Sequence, residues 1–202
     1  MVLGRRVEIV LLAAGVSRRM GWRDKLLEDA CGQPLLRRAA LAARSSMADR
    51  IRVILPRGHE ARRAALDGLD VEVVENPEAA EGMATSIRRG IRAVSSEAGA
   101  AIIALADMPD VTAQDYDRLI RRWEATGNIC RAATIGGEPG NPVLFPRSYL
   151  LELTRLAGDR GAHALLSRES ERTELVRLEG NAARTDLDTP DDWRNWRTDN
   201  AP

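Results

Sequence analysis

The sequence predicts an α/β sandwich built on a mostly parallel sheet. Short apolar runs rich in β-forming residues recur at 7–13 ("VEIVLLA"), 51–56 ("IRVILP"), 71–75 ("VEVVE") and 100–106 ("AAIIALA"). Continuous runs of this length suit strands covered on both faces. Helix-like segments lie between them, and regular strand–helix alternation is the signature of a parallel sheet with helices packed on it. At 202 residues and 44% hydrophobic, the chain has the material for one full-sized core. Residues 1–202 are therefore read as a single domain. Aromatic residues make up only 3%, so that core is expected to be built from Leu, Ile, Val and Ala.

The elements follow in order. Arginines precede the first run, as basic residues precede the apolar stretch of a secretion signal. The run is short, however, and leads into a glycine loop, so it reads as a first strand. Helix is expected at 34–47, 58–69 and 84–94, and again at 112–126, where Thr112 and Asp115 have capping-box spacing. The last third is less regular. It holds a short strand at 130–135, a turn "GGEPGNP" at 136–142, helices near 147–157 and 161–168, and strands near 174–178 and 184–187. A final helix starts with Thr189 as N-cap and Pro190 at its first position.

Composition excludes several function classes. Thirty basic and thirty acidic residues cancel, so neither nucleic acid nor a membrane surface is an expected partner. No apolar run approaches 18 residues, so no transmembrane helix is expected. Cys31 and Cys130 are too few for a disulfide framework and have no zinc spacing, which suits reduced thiols in the cytoplasm. A monomer is expected.

In a parallel sheet, ligands bind at the carboxyl ends of the strands. Three loops there stand out. The first, "LLAAGVSRRMGWRDKLL", holds Gly15, Ser17, Arg18, Arg19, Gly21 and Lys25. Successive amides beside a glycine can cradle an anion, while Ser17, Arg19 and Lys25 add a hydroxyl and charge. The pattern reads either as a polyphosphate cradle or as a solvated basic loop. It matches neither the Walker loop nor the dinucleotide fingerprint. Of the 30 basic residues only Lys25 is lysine. An ammonium is a compact point charge that a planar guanidinium does not replace.

The second loop, "ALADMPDV", ends a strand at Asp107, either a Mg²⁺ ligand or a turn cap. The third, "RTDLDTPDDW", offers Asp186 and Asp188 two residues apart, hence on one face if the segment is a strand. Between them, "NPEAAEGMATSIRRGI" puts Gly82 and Ser86 at a loop-to-helix junction, suited to reading a nucleobase or to opening a helix. His59 and His163 are isolated and receive no role.

Taken in order, "LAAGVSRRMG…K", "NP…EGM…S…GI", "DMPDV", "GNPVLF", "GDRGA" and "DLDTPDDW" resemble the molybdenum-cofactor nucleotidyltransferases over nearly the whole chain. The resemblance implies a three-layer α/β/α, Rossmann-like nucleotidyltransferase fold. Its "LAAG" at 12–15 is similar to the branch that transfers CMP from CTP to molybdopterin. A guanylyl branch using GTP and enzymes acting on sugar or alcohol phosphates are the neighbouring possibilities. It implies that Ala13, Ala14, Gly15, Ser17, Arg19 and Lys25 bind the nucleotide, with Arg19 and Lys25 supplying catalytic charge. Gly82 and Ser86 would lie near base and ribose, and Asp107 and Asp188, in preference to Asp186, would hold Mg²⁺. Asn141, Pro142, Asp159 and Gly161 would line the acceptor side. A recipient molybdoenzyme or its chaperone is an implied partner. Two departures stand out: three residues, Trp22, Arg23 and Asp24, separate Gly21 from Lys25 where many members have two, and His163 stands where arginine is expected.

Overall fold

A computed structural model describes residues 6–15, 20, 23–157 and 161–200. Seven strands and seven helices are found among them: β1 (Val7–Leu12), α1 (Leu35–Arg44), β2 (Arg50–Pro56), α2 (Glu60–Ala64), β3 (Glu72–Asn76), α3 (Met83–Ala93), β4 (Ala100–Leu105), α4 (Ala113–Thr126), β5 (Ile129–Ala133), β6 (Pro139–Pro146), α5 (Arg147–Leu153), α6 (His163–Arg168), β7 (Thr173–Arg177) and α7 (Pro190–Asp199). The strands form one sheet in the order β3-β2-β1-β4-β6-β5-β7. β6 alone runs against its neighbours; the pairings β1–β2, β1–β4, β2–β3 and β5–β7 are parallel.

Side chains alternate across this sheet, and both faces are apolar. Ile9, Leu11, Ile102 and Ala104 point into one core with α1, α4 and α7. Val10, Leu12, Ala101 and Ile103 point into a second core with α3 and α5. Two cores, one on each face, explain why β1 and β4 read as unbroken apolar runs. The result is the three-layer α/β/α architecture. Helix starts follow the expected chemistry: the Thr112–Asp115 capping box forms and Thr189 caps the last helix, where the Asp192 side chain completes a second box. No helix among the described residues is long and apolar enough to cross a membrane.

The structure differs from the sequence reading in two places that matter for the site. Residues 139–142 were expected in a turn but open β6. Proline has no N–H to give a ladder, so it is confined to strand starts and irregular pairings. Pro139 is the first residue of β6, opposite Ala133, where the β5–β6 register shifts. Residues 184–187, expected as a strand, form none. Turn bonds from Arg184 and Thr185 back to the Asn181 carbonyl use the amides that a strand would have offered a neighbour. This irregular segment is nonetheless pinned. The Asn141 amide donates to the Ala183 carbonyl at 2.8 Å and the Leu187 amide to the Asp107 carbonyl at 3.0 Å. Gly140 permits the first contact, because a Cβ there would stand 1.8 Å from the Ala183 oxygen. Elsewhere β2, β3, α3 and β7 lie within one residue of the expected bounds, while several elements are shorter, most of all α2, which ends at Ala64 rather than near 69.

Candidate active site

A cavity of about 590 Å³ opens at the carboxyl ends of β1, β3 and β4, the edge where parallel sheets bind ligands. Ala13, Ala14 and Gly15 line it from the end of β1, Gly82, Met83 and Ser86 from the start of α3, and Lys25 and Asp107 from two further loops. The structure thus brings seven of the sequence-predicted residues to one pocket. Ser17, Arg18, Arg19, Gly21 and Asp159 lie outside the described residues.

The centre of the site is a three-way ion pair. Lys25 Nζ donates to Asp107 Oδ2 at 2.5 Å and also to Asp188 Oδ1. All three side chains are largely shielded from solvent, Lys25 most of all at 11% exposed. Burial works against the lysine charge, but the two carboxylates outweigh it and hold its pKa above the ordinary lysine value. Asp186 is close enough to feel the cluster. Partial burial first, then the charges of Asp188 and Asp107, raise its carboxyl above the usual aspartate range.

These residues fit a divalent cation. Two carboxylates converge on a point that a cation already occupies, and the second oxygen of Asp107 is buried with no hydrogen-bond partner among the described residues. An all-oxygen pair suits Mg²⁺ or Mn²⁺, which take one or two protein carboxylates and complete their shell with phosphates and water. Among the described residues no group of three or more His, Cys, Asp or Glu side chains forms a ready-made metal cage.

Lys25 owes its place to residues the sequence reading missed. Asp24 begins the short 3₁₀ turn Lys25–Leu27, and its carboxylate accepts from the Leu26 amide. Arg62 of α2, almost wholly buried, donates to both oxygens of Asp24 at 2.7 and 2.8 Å and to the Ala13 carbonyl at 2.7 Å. One guanidinium therefore ties the end of β1 to the lysine turn. Partial burial opposes the Asp24 charge, but its bonds to Arg62 prevail and hold its carboxyl below the ordinary value of 3.8. Nothing in "GHEARRAAL" separates Arg62 from the solvated arginine beside it.

On the opposite wall, Asn76 ends β3 buried and donates to Thr85 Oγ1 and Ser86 Oγ at 2.9 and 3.0 Å. Ser86 accepts in this bond, which leaves its own hydroxyl hydrogen unused by Asn76. Gly82 precedes α3 with a φ of 115°, a conformation that favours glycine. Asn141 and Gly161 lie apart from this pocket, lining a smaller cavity that meets it at Met83 and Leu105, and Pro142 is buried within β6.

A pocket at the carboxyl edge of a mainly parallel sheet, with a lysine and two aspartates at its rim and glycine loops on both walls, defines an α/β nucleotidyltransferase. The chain belongs to the MobA-like NTP transferase domain family, whose profile matches residues 9–173. A curated relative, the molybdenum cofactor cytidylyltransferase of Escherichia coli (strain K12), is 26% identical over 196 residues and covers 93% of each chain. Among solved structures, Rv0371c from Mycobacterium tuberculosis H37Rv is 33% identical, with a TM-score of 0.81 and coverage of 95% of this chain and 96% of that one. The same protein in complex with manganese aligns at 30% identity with a TM-score of 0.77, over 95% and 97% of the two chains.

The Arg62 clamp has a testable consequence. Arg62→Met removes the guanidinium that Asp24 and the Ala13 carbonyl share and is expected to cost about 3 kcal/mol in chemical denaturation. The pH dependence has a definite sign. A carboxyl lowered by folding stabilises the protein above its unfolded value of 3.8, and that contribution fades as pH falls through the folded value. The melting-temperature gap between wild type and Asp24→Asn is therefore wide at neutral pH and closes in acid below that value. A gap that stays constant down to the acid limit of folding contradicts the pairing.

Proposed function

We propose that the protein transfers CMP from CTP to the terminal phosphate of molybdopterin, releasing pyrophosphate and forming molybdopterin cytosine dinucleotide. The observation that carries the chemistry is the meeting of Lys25, Asp107 and Asp188 at the rim of the pocket formed by Ala13–Gly15, Gly82 and Ser86. The choice of substrates draws on "LAAG" at 12–15 and on the named activity of the Escherichia coli relative. Two free cysteines, one exposed and one buried, suit the cytoplasm, where the reaction is assigned.

The acceptor's phosphate oxygen attacks the α-phosphorus of CTP, and the bond to the bridging oxygen of pyrophosphate breaks in line with it. The nucleophile is already anionic, so no general base is needed. What remains is to place two anions together and to compensate the charge that shifts onto the leaving group. The amides of Ala14 and Gly15, with Ser17 and Arg19, are assigned to the β- and γ-phosphates. Ser86, aimed by Asn76, and the backbone at Gly82 are assigned to the nucleoside. Asp107 and Asp188 would hold Mg²⁺, which when bound supplies charge neutralisation at the α-phosphate. Lys25 stays protonated at neutral pH because those same carboxylates face it, and it brings a movable point charge to the reacting phosphate.

A panel of nucleotides and acceptors, read by pyrophosphate release, tests this reading. CTP with molybdopterin is expected to be turned over at least about tenfold better than GTP, which needs only about 1.4 kcal/mol of discrimination. A preference for GTP, or turnover only with a sugar or alcohol phosphate, overturns the substrate assignment and leaves the enzyme class intact.

Lys25→Arg tests the role of the lone lysine. A guanidinium grips carboxylates with two parallel bonds, so an arginine would stay fastened to Asp107 and Asp188 instead of following the phosphate. Misplacement of this kind costs on the order of 100-fold in kcat. A contact made only in the transition state lowers kcat and kcat/KM together. Steady-state kinetics with an unchanged melting temperature is the expected result. Wild-type kcat, or a change confined to KM for CTP, assigns Lys25 to ground-state binding instead.

A further inference from the structure

The last helix is joined to all three segments that carry the Lys25–Asp107–Asp188 bridge, through side chains that the proposed reaction does not use. Aromatic residues are scarce in this chain, yet two of its four tryptophans stand at 193 and 196 on α7. Both are buried, and they meet edge to face with ring centroids 6.2 Å apart. Core packing alone does not account for Trp196. Its Nε1 donates to Asp110 Oδ1 at 2.8 Å, in the loop that follows β4. A phenylalanine could fill the same space without that bond.

The loop from Asp107 to Asp110 is fastened at both ends to α7 or to the segment leading into it. At one end the Asp107 carbonyl accepts from the Leu187 amide, beside Asp188; at the other, Asp110 accepts from Trp196. Between them, Arg38 of α1 donates from Nε to the Pro109 carbonyl at 2.9 Å. Its guanidinium lies 5.6 Å from the centre of the Trp196 ring, so Arg38 and the indole brace each other against the loop. The next residue of α7, Arg197, donates to the Asp29 carbonyl at 3.0 Å, just beyond the turn that holds Lys25. That guanidinium lies over the Trp193 ring at 4.8 Å.

Alone, the bond from Leu187 to Asp107 would act as a hinge, about which α7 could turn relative to β4. Asp188 lies between that hinge and the Thr189 cap, so it would turn with the helix. Trp196 lies roughly 9 Å further along the helix than Pro190, and its bond to Asp110 removes this rotation. We propose that Trp196 is a positioning residue for the charged site. Through Asp110 it fixes α7 against the loop after β4, so that Asp107 and Asp188 keep the separation at which one divalent cation joins them. The inference rests on the assignment of those two carboxylates to a cation. The bond itself is strong for its kind, because the acceptor is a carboxylate and the donor a buried indole.

Trp196→Phe tests this, because most of the ring stays and the N–H is lost. Mn²⁺ is the probe, titrated into the nucleotide-free protein and followed by electron paramagnetic resonance well below the melting temperature. Its affinity is expected to fall at least about threefold. Asp110→Ala is expected to weaken Mn²⁺ to a similar extent, and the double variant no further than the weaker single one, since both changes remove one bond. Asp110→Asn also loses the charge but keeps an oxygen for the indole, and is expected to recover most of the affinity. Should Trp196→Phe fail to fold, the two Asp110 variants give the same readout. Equal Mn²⁺ affinity in wild type, Trp196→Phe and Asp110→Ala overturns the inference, whatever the melting temperatures do. Asp110→Asn as weak as Asp110→Ala assigns the loss to charge and also overturns it, as does a wild type that binds no Mn²⁺. Turnover of CTP with molybdopterin alongside any of these results fails this inference and leaves the proposed function standing. Mn²⁺ binding that depends on Trp196, in an enzyme that rejects molybdopterin, does the reverse.

Discussion

The geometry of the site depends on one buried ammonium held between two carboxylates. Lys25, Asp107 and Asp188 come from a turn after β1, the end of β4 and the segment before α7, regions far apart in the chain. Two aspartates brought this close would repel each other in a partly desolvated pocket; the lysine makes their approach favourable. Removal of the cation would leave two like charges facing each other, and the loops that carry them would have reason to separate. The bridge therefore sets the width of the pocket mouth as well as its charge.

The fold supplies this bridge in layers. β1 and β4 are parallel neighbours, so their carboxyl ends open side by side and present the lysine loop next to Asp107. Arg62 then fixes the lysine turn by bonding to Asp24 and Ala13 together. Asp188 arrives by a different route. The reversed strand β6 approaches the 181–184 turn so closely that Gly140 admits no side chain, and Leu187 bonds to the carbonyl of Asp107 itself. The capping box of α7 takes over immediately beyond, with the Asp192 carboxylate accepting from the amides of Asp188 and Thr189. Each aspartate is thus fixed through its backbone, and its carboxylate by the lysine.

Much of this was legible in the sequence where a local rule decides the outcome. Two-sided burial made β1 and β4 read as continuous apolar runs, and the Thr112–Asp115 capping box and the Thr189 N-cap were visible from local spacing. Lys25 stood out because every other basic residue is arginine, and Asp107 because it ends a buried strand. Legibility failed where tertiary contacts override local signals. Pro139 and Pro142 hid β6, since the partners that accommodate them are distant in sequence. The 184–187 segment was expected as a strand, yet it lies at Asp107 as an irregular stretch. The reading also put Lys25 with the phosphates and the aspartates with a metal. It had no means of seeing that the three side chains share one point, or that a buried Arg62 positions the first of them.

That shared point joins the pieces of the account, because it is both the lysine's resting place and the proposed seat of the divalent cation. An ammonium and a metal ion then compete for the same two carboxylates, a relation independent of substrate. Mn²⁺ binding to the nucleotide-free protein, followed by electron paramagnetic resonance, tests it directly. Asp107→Asn is predicted to weaken Mn²⁺ at least about tenfold, and Lys25→Ala to tighten it relative to wild type. Equal Mn²⁺ affinity in all three proteins would contradict the account.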